Sequence, residues 1–262
     1  MLLPHTRVLL DIPEGTITSN TAERLRKHAW GGWLLKYMQE KYNWTENITK
    51  TINWKAQASA LQNQFLRGTH MTKLIHDILP TNSNIHRDDK NKQRCPECSC
   101  KKENRDHVLQ CPAASRQPIE QEMLRKIKAG CEKHRTDPDL QRLILLAERE
   151  WMVTPEMVEY TPSAPDFPER LHDLIRNQTA IGWRQLFNGR FSKYWAQRQD
   201  EYYAHSENTQ RNRRQTGQTW HINIIGEFWE AWFLIWEKRN QDIHGFDANS
   251  KAEAMRRSKL EQ

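Results

Sequence analysis

Four soft donor side chains in one short stretch limit what this chain can fold into more than any other feature. Cys95 and Cys98 lie three apart in Cys95-Pro96-Glu97-Cys98, the separation a knuckle turn requires. His107 and Cys111 lie four apart in Asp106-His107-Val108-Leu109-Gln110-Cys111, a spacing that puts both on one helical face. Thiolates and imidazole in this pattern suit a tetrahedral Zn2+ site, and four protein ligands leave no open position for water or substrate. The expected role of the ion is structural. Cys100 could replace Cys98, although the two-residue gap favours Cys98 because it lets both sulfurs reach one ion without strain. Lys101, Lys102, Glu103, Asn104 and Arg105 between the ligand pairs form an expected solvated loop, and Val108, Leu109 and Pro112-Ala113-Ala114 a short helical segment behind the ion. Cys131 and His134, three apart, are a weaker second pair.

The rival use of these cysteines is disulfide pairing. The first residues, Met1 to Asp11, carry Pro4, Arg7 and Asp11 inside what a secretory signal would need as its apolar core, and no apolar run approaches a membrane span. The expected setting is intracellular and reducing, nuclear or cytoplasmic, where clustered cysteines bind metal more often than they pair. Hydrophobic residues are only 37% of the chain, yet it has 11 tryptophans, so burial must come from a few large aromatic anchors. A formal charge of +7 and a pI near 9.2 are compatible with a nucleic-acid partner.

Periodicity predicts an all-α chain. Residues 1–18, with Pro4, Pro13 and Gly15, form an expected extended arm ahead of a helical domain over 19–151. Asn20 and Glu23 make a capping box before Leu25, Ala29, Trp30, Trp33, Leu34, Tyr37 and Met38, which share a face, and Gly31-Gly32 is expected at a close helix contact. Trp54, Ala58, Leu61 and Phe65 predict a helix over 52–67 capped by Gly68. Thr69 then caps a helix carrying Met71, Leu74, Ile75, Ile78 and Leu79, ended by Pro80, with His70 and His76 as surface histidines. Asn82–Arg94 is polar, and its Asp88-Asp89 pair lacks the flanking apolar strands of a polymerase metal site. Further helices are expected over about 118–134 and from Asp137-Pro138 to about Trp151.

Pro155, Pro162, Pro165 and Pro168 mark 152–168 as a linker, followed by a smaller aromatic-rich helical domain over 169–248 and a charged tail over 249–262. In this domain Leu171 to Trp183 starts a helix, Gly189 bends the chain, and His205–Gln218, with Arg211, Arg213 and Arg214, is a solvated loop. The last helix, about Thr219 to His244 with Gly245 as cap, carries Trp220, Trp229, Trp232 and Trp236 over more than a narrow stripe. It must be the centre of its domain or bury a second face against a partner. The expected fold is an irregular helical bundle with a small zinc-stapled loop-helix module and a second, smaller helical domain.

The ligand quartet has Glu103 four before and Asp106 one before His107, a Cys111-Pro112 step, Lys73 leading to Leu79-Pro80-Thr81, and Trp54-Lys55 upstream. Over about 50–116 this resembles the reverse transcriptase zinc-binding domain at the C-terminal end of non-long-terminal-repeat retrotransposon polyproteins. From Ile181-Gly182-Trp183 through Gly189-Arg190 to Trp232, Trp236, Arg239-Asn240, Asp242 and His244-Gly245, the chain resembles the tail that accompanies this domain in some retroelement-derived proteins. The resemblance implies a zinc-stabilised helical module that helps an element's reverse transcriptase engage nucleic acid and has no catalysis of its own. It also implies a retroelement-derived C-terminal fragment, since polymerase, endonuclease and RNase H regions are not in the sequence.

The leading expectation is therefore a non-catalytic accessory module that binds RNA or DNA weakly and without sequence preference. Zinc would hold the loop in which Arg87, Lys90, Lys92, Arg94, Lys101, Lys102 and Arg105 contact phosphates. The alternative is a protein-interaction scaffold that docks through the tryptophan-rich last helix. An enzyme is not expected: a zinc deaminase needs His-any-Glu before Pro-Cys, whereas here Pro96 follows Cys95 and His205-Ser206-Glu207 comes after the cysteines.

Overall fold

The tryptophan-rich segment forms the centre of the fold. The computed structural model describes residues 10–12, 15–17, 21–64, 67–99, 102–153, 162–205 and 215–245, with side chains from Gly32 onward. Among the described residues it is all-α apart from one short ladder, β1 (Leu10–Ile12) with β2 (Gly15–Ile17), and an isolated antiparallel bridge between Ile52 and Ser192. Leu10, Asp11 and Ile12 pair antiparallel with Ile17, Thr16 and Gly15, so part of the expected extended arm is a hairpin. The helices are α1 (Thr21–Tyr42), α2 (Glu46–Thr51), α3 (Trp54–Asn63), α4 (Gly68–Ile75), α5 (Asn82–Ile85), α6 (Arg105–Leu109), α7 (Gln117–Lys133), α8 (Pro138–Val153), α9 (His172–Ile181), α10 (Lys193–His205) and α11 (Gly217–His244). Among the described residues, no helix is long and apolar enough to cross a membrane.

The chain divides into two units, Met1–Lys50 and Thr51–Gln262. In the first, α1 runs through Gly31-Gly32, and a Cβ at Gly32 would meet open space, so no close helix contact requires that glycine. Among the described side chains the expected apolar face is only partly buried: Met38 is buried, but Trp33 is 76% exposed and Leu34 and Tyr37 are exposed with it, as is their neighbour Leu35. Successive residues on a helix point about 100° apart, so one face cannot bury Trp33, Leu34 and Leu35 together. The Asn20 cap lies outside the described residues.

In the second unit α11 packs against α7, α10 and α3 and also meets α6. Its neighbours approach from several sides, which explains why its apolar positions exceed one stripe. Trp220, Trp229, Trp232 and Trp236 are buried within the chain. Buried indoles need acceptors. Trp220 Nε1 donates to Thr136 Oγ1 at 2.8 Å, and Trp229 Nε1 to the Phe187 carbonyl at 3.0 Å. Phe228 meets Phe187 and Phe191 edge to face, at ring separations of 5.3 and 5.4 Å. The expected linker 152–168 falls inside this unit, because α11 and α10 from beyond the prolines share one core with α3, α7 and α8 from before them. The 154–161 part of it lies outside the described residues.

Local signals set most element ends. Asn53 caps α3 by accepting from the Ala56 amide at 3.1 Å, Pro138 opens α8, and Thr216 Oγ1 accepts from the Thr219 amide at 3.1 Å to start α11. Gly245, at φ +80°, ends α11. Two expectations shift: Gly68 begins α4 instead of capping α3, and the N-cap position of α4 is Arg67, which leaves Thr69 in its first turn. Helix α4 stops at Ile75, and Asp77 takes φ +59°, so Ile78 turns outward while Leu79 stays buried.

Gly189 closes the 3₁₀ turn Trp183–Asn188 in the left-handed region, at φ +69°. A Cβ there would lie 2.9 Å from Ile225 Cγ2 and 3.0 Å from Trp229 Cζ2. Gly189→Ala should therefore destabilise the protein by about 1–3 kcal/mol, from backbone strain and crowding together. A lowered urea midpoint with unchanged far-ultraviolet dichroism would register this loss.

Candidate metal centre

Backbone geometry brings the donors together. The Cys95 carbonyl accepts from the Ser99 amide at 3.1 Å, and Ser99 itself takes φ +57°, which closes the knuckle around Cys95 and Cys98. On the far side, Asn104 caps α6 by accepting from the His107 amide at 2.8 Å. Helix α6 ends at Leu109, so Cys111 lies just past it and does not share a helical face with His107 as the spacing suggested. Val108 and Leu109 are buried behind the ligands. Pro112 and Ala113 are extended into the 3₁₀ turn Ala114–Arg116, so the short helix expected there is interrupted.

The donor atoms of Cys95, Cys98, His107 and Cys111 all lie within 4.8 Å of one another and could hold a metal ion. Sulfur pairs on a tetrahedral ion with bonds of about 2.3 Å stand about 3.8 Å apart, and a sulfur–nitrogen pair about 3.5 Å apart. The Sγ atoms of Cys95 and Cys111 are 3.8 Å apart, and Cys98 Sγ is 3.2 Å from His107 Nε2. A disulfide needs about 2.05 Å, and these cysteines are free. Crowding also separates the proton affinities of the pair: the hydrogen bond to Cys95, with burial, pushes the Cys111 thiol up, while the hydrogen bond from Cys111 holds Cys95 low. Thiols this close compete for one proton, and a cation among them favours thiolate at both. Cys100 lies outside the described residues.

The loop between the ligand pairs is anchored and partly buried, contrary to the expected solvated loop. Glu103 is 1% exposed. Its carboxylate accepts from Arg239 Nε at 3.0 Å and Nη2 at 2.8 Å, and from the Asn82 amide at 2.7 Å. Its backbone donates to the Gln93 carbonyl at 2.7 Å and accepts from the Ser83 amide at 3.1 Å. Arg105 is buried and pairs with Asp77, Asp106 and Asn188, so it is unavailable to phosphates. Inside the knuckle, Glu97 accepts from Arg116 Nε at 2.7 Å and from Lys238 Nζ at 3.4 Å. Arg116 also donates to the Ile235 carbonyl at 3.2 Å. Burial and the neighbouring Glu97 carboxyl raise Asp242 to about 6. Two loops of the metal module are thus fastened to the last turns of α11.

Of the other expected phosphate contacts, Arg87, Lys90, Lys92, Arg94 and Lys102 are exposed, and Lys101 lies outside the described residues. Cys131 and His134 do not join the cluster. Cys131 is buried, which pushes its thiol up to about 12, and His134 Nε2 lies 3.0 Å from Glu227 Oε1. His70 is no ordinary surface histidine: it packs 5.0 Å from the Phe233 ring and 5.2 Å from Trp236, and its Nε2 accepts from Trp232 Nε1 at 3.2 Å. Burial, with Lys73 and Arg67 nearby, lowers its pKa to about 4. No family model, no curated protein and no solved structure matches the chain.

Two outcomes follow from these contacts. Arg239→Met strands a buried carboxylate and should cost about 3–5 kcal/mol in urea unfolding, most of it recovered in the Glu103→Gln/Arg239→Met double variant. His70 should titrate near 4 by NMR. Because the unfolded chain takes up that proton at about 6.5 and the folded one only near 4, its contribution to stability is full above 6.5 and declines as pH falls toward 4.

Proposed function

We propose that this chain is a non-catalytic zinc-binding, nucleic-acid-binding accessory module derived from a retrotransposon reverse transcriptase. The observation that carries the reading is the cluster of three thiols and one imidazole within 4.8 Å. Soft sulfur and nitrogen donors in a tetrahedral set favour zinc over hard cations, and four protein ligands make the site a closed staple. Cys95, Cys98 and Cys111 would bind as thiolates and His107 through Nε2. Bound zinc supplies folding free energy to a loop that has little core of its own.

The nucleic-acid part rests on charge. Arg87, Lys90, Lys92 and Arg94 are exposed along the segment that leads into Cys95, and Lys102 is exposed between the ligand pairs. Lys92 has only a long contact to Asp89, at 3.9 Å. Side chains on such a loop reach phosphates and not base edges, so binding would be weak, salt-dependent and indifferent to sequence. The Glu103 and Arg239 positions quoted in the family resemblance pair with one another here, which supports reading both parts of that resemblance together.

Metal analysis of reduced, chelator-free protein tests the staple: one zinc per chain is expected, falling sharply in Cys98→Ser and unchanged in Cys131→Ser. Equal loss in both variants would sink the ligand assignment. Binding to single-stranded oligonucleotides should weaken steeply as salt rises, with a slope reduced by about one for each of Lys90→Glu and Lys92→Glu.

A further inference from the structure

We propose that the groove between α4 and the last turns of α11 holds a nucleotide-sized unit of single-stranded nucleic acid, continuing the path of the basic loop. The inference rests on the nucleic-acid reading above and adds a site to it. The groove is open to solvent, has a volume of about 890 Å³, within the size range of small-ligand sites, and counts Phe233 and Trp236 among its lining residues. Arg67, Thr69, His70 and Lys73 line it from the α4 side, and among the described lining residues Glu237 is the one carboxylate.

Three features of that side suit a base and its phosphate. The Arg67 guanidinium lies 4.0 Å from the Phe233 ring centroid, and its Nη1 donates to both Glu230 oxygens at 2.9 and 3.0 Å. Its side chain is still 42% exposed, and guanidinium planes stack on unpaired bases. His70 accepts from Trp232 through Nε2, so its other nitrogen, Nδ1, carries the N–H and is a donor in the neutral ring. Lys73 is exposed one helical turn from Thr69 and suits a phosphate.

Continuity with the basic loop decides the occupant. Asn82 and Ile85, from the segment that leads into the basic loop, also line the groove. Asn82 Nδ2 donates to the Arg94 carbonyl at 2.7 Å, and Gln93 Nε2 to the His86 carbonyl at 2.8 Å, so the exposed cations of 87–94 adjoin the groove. A strand that crosses those cations arrives at the groove with a positive rim ahead of it. An apolar peptide would gain nothing from that rim.

The experiment uses the full chain, loaded with zinc and reduced, and fluorescence anisotropy with labelled oligouridylate and oligodeoxythymidylate across a salt series. Thr69→Glu places a carboxylate in the first turn of α4, where the helix dipole stabilises it, so the fold is kept while the groove gains a negative charge. Lys73→Glu replaces the groove's cation with a carboxylate in the last turn of α4, where the dipole gives it no support. Each should weaken binding about tenfold and lower the salt slope by about one to two. Lys128→Glu on exposed α7, a charge change equal to that of Lys73→Glu and larger than that of Thr69→Glu, should change affinity by less than about twofold. If the wild type binds and both groove variants match Lys128→Glu, the groove inference falls while the basic-loop reading stands. If the wild type binds neither oligonucleotide at low salt, both fall. Binding of polyglutamate that is lost in both groove variants and unaffected by oligonucleotide would assign the groove to an acidic protein and overturn the proposal.

Discussion

The carboxylate of Glu103, buried between two pairs of candidate ligands, is the constraint on which the rest of the second unit turns. A buried charge is tolerable only when it is fully paired. Glu103 meets that demand with both oxygens engaged by Arg239 of α11 and one of them also by the Asn82 amide. The loop cannot move without stranding a charge, and α11 cannot shift without stranding its partner. Glu97 repeats the arrangement with Arg116 and Lys238. A metal held by the four donors would fix the loop's own shape, and these ion pairs fix where that shape sits.

Helix α11 can serve as the anchor because its other faces are already immobilised. Large indoles fill its contacts with α3, α7 and α10, and each buried N–H described there has an acceptor chosen from a different element: Thr136, Phe187 and His70. Hydrogen bonds of this kind add direction to an aromatic core that would otherwise tolerate sliding. The neutral state of His70 belongs to the same logic. A protonated ring could not accept from Trp232, and burial among aromatics already disfavours the charge.

Much of the helical architecture was legible in the residues. The Pro138 start, the Gly189 bend and the Gly245 stop follow from backbone chemistry that acts within a few residues, and so does the approach of Cys95 to Cys98. The domain boundary was not legible, because prolines announce an interrupted helix and say nothing about whether the helices on either side share a core. Likewise Glu103 and Arg105 looked like solvent-facing loop charges. Their burial depends on Arg239, Asp77 and Asn188, which come from other parts of the chain, and no local pattern encodes that. Pattern also failed for α1, where periodicity implied a buried face that the structure leaves exposed at Trp33 and Tyr37.

The same pairing bears on where the surplus positive charge can act. Arg105, Arg116 and Arg239 are almost inaccessible, and each is neutralised by a named carboxylate. They contribute to the basic composition of the sequence without contributing a surface for anions. Arg87, Lys90, Lys92, Arg94 and Lys102 stay outside, on a segment whose ends are fastened by the metal cluster and by the Glu103 backbone. A modest net charge spread evenly would attract polyanions feebly. Held together on one anchored loop, as the proposed function requires, those cations would meet a phosphate chain as a group and would lose less freedom in doing so than on an unanchored one.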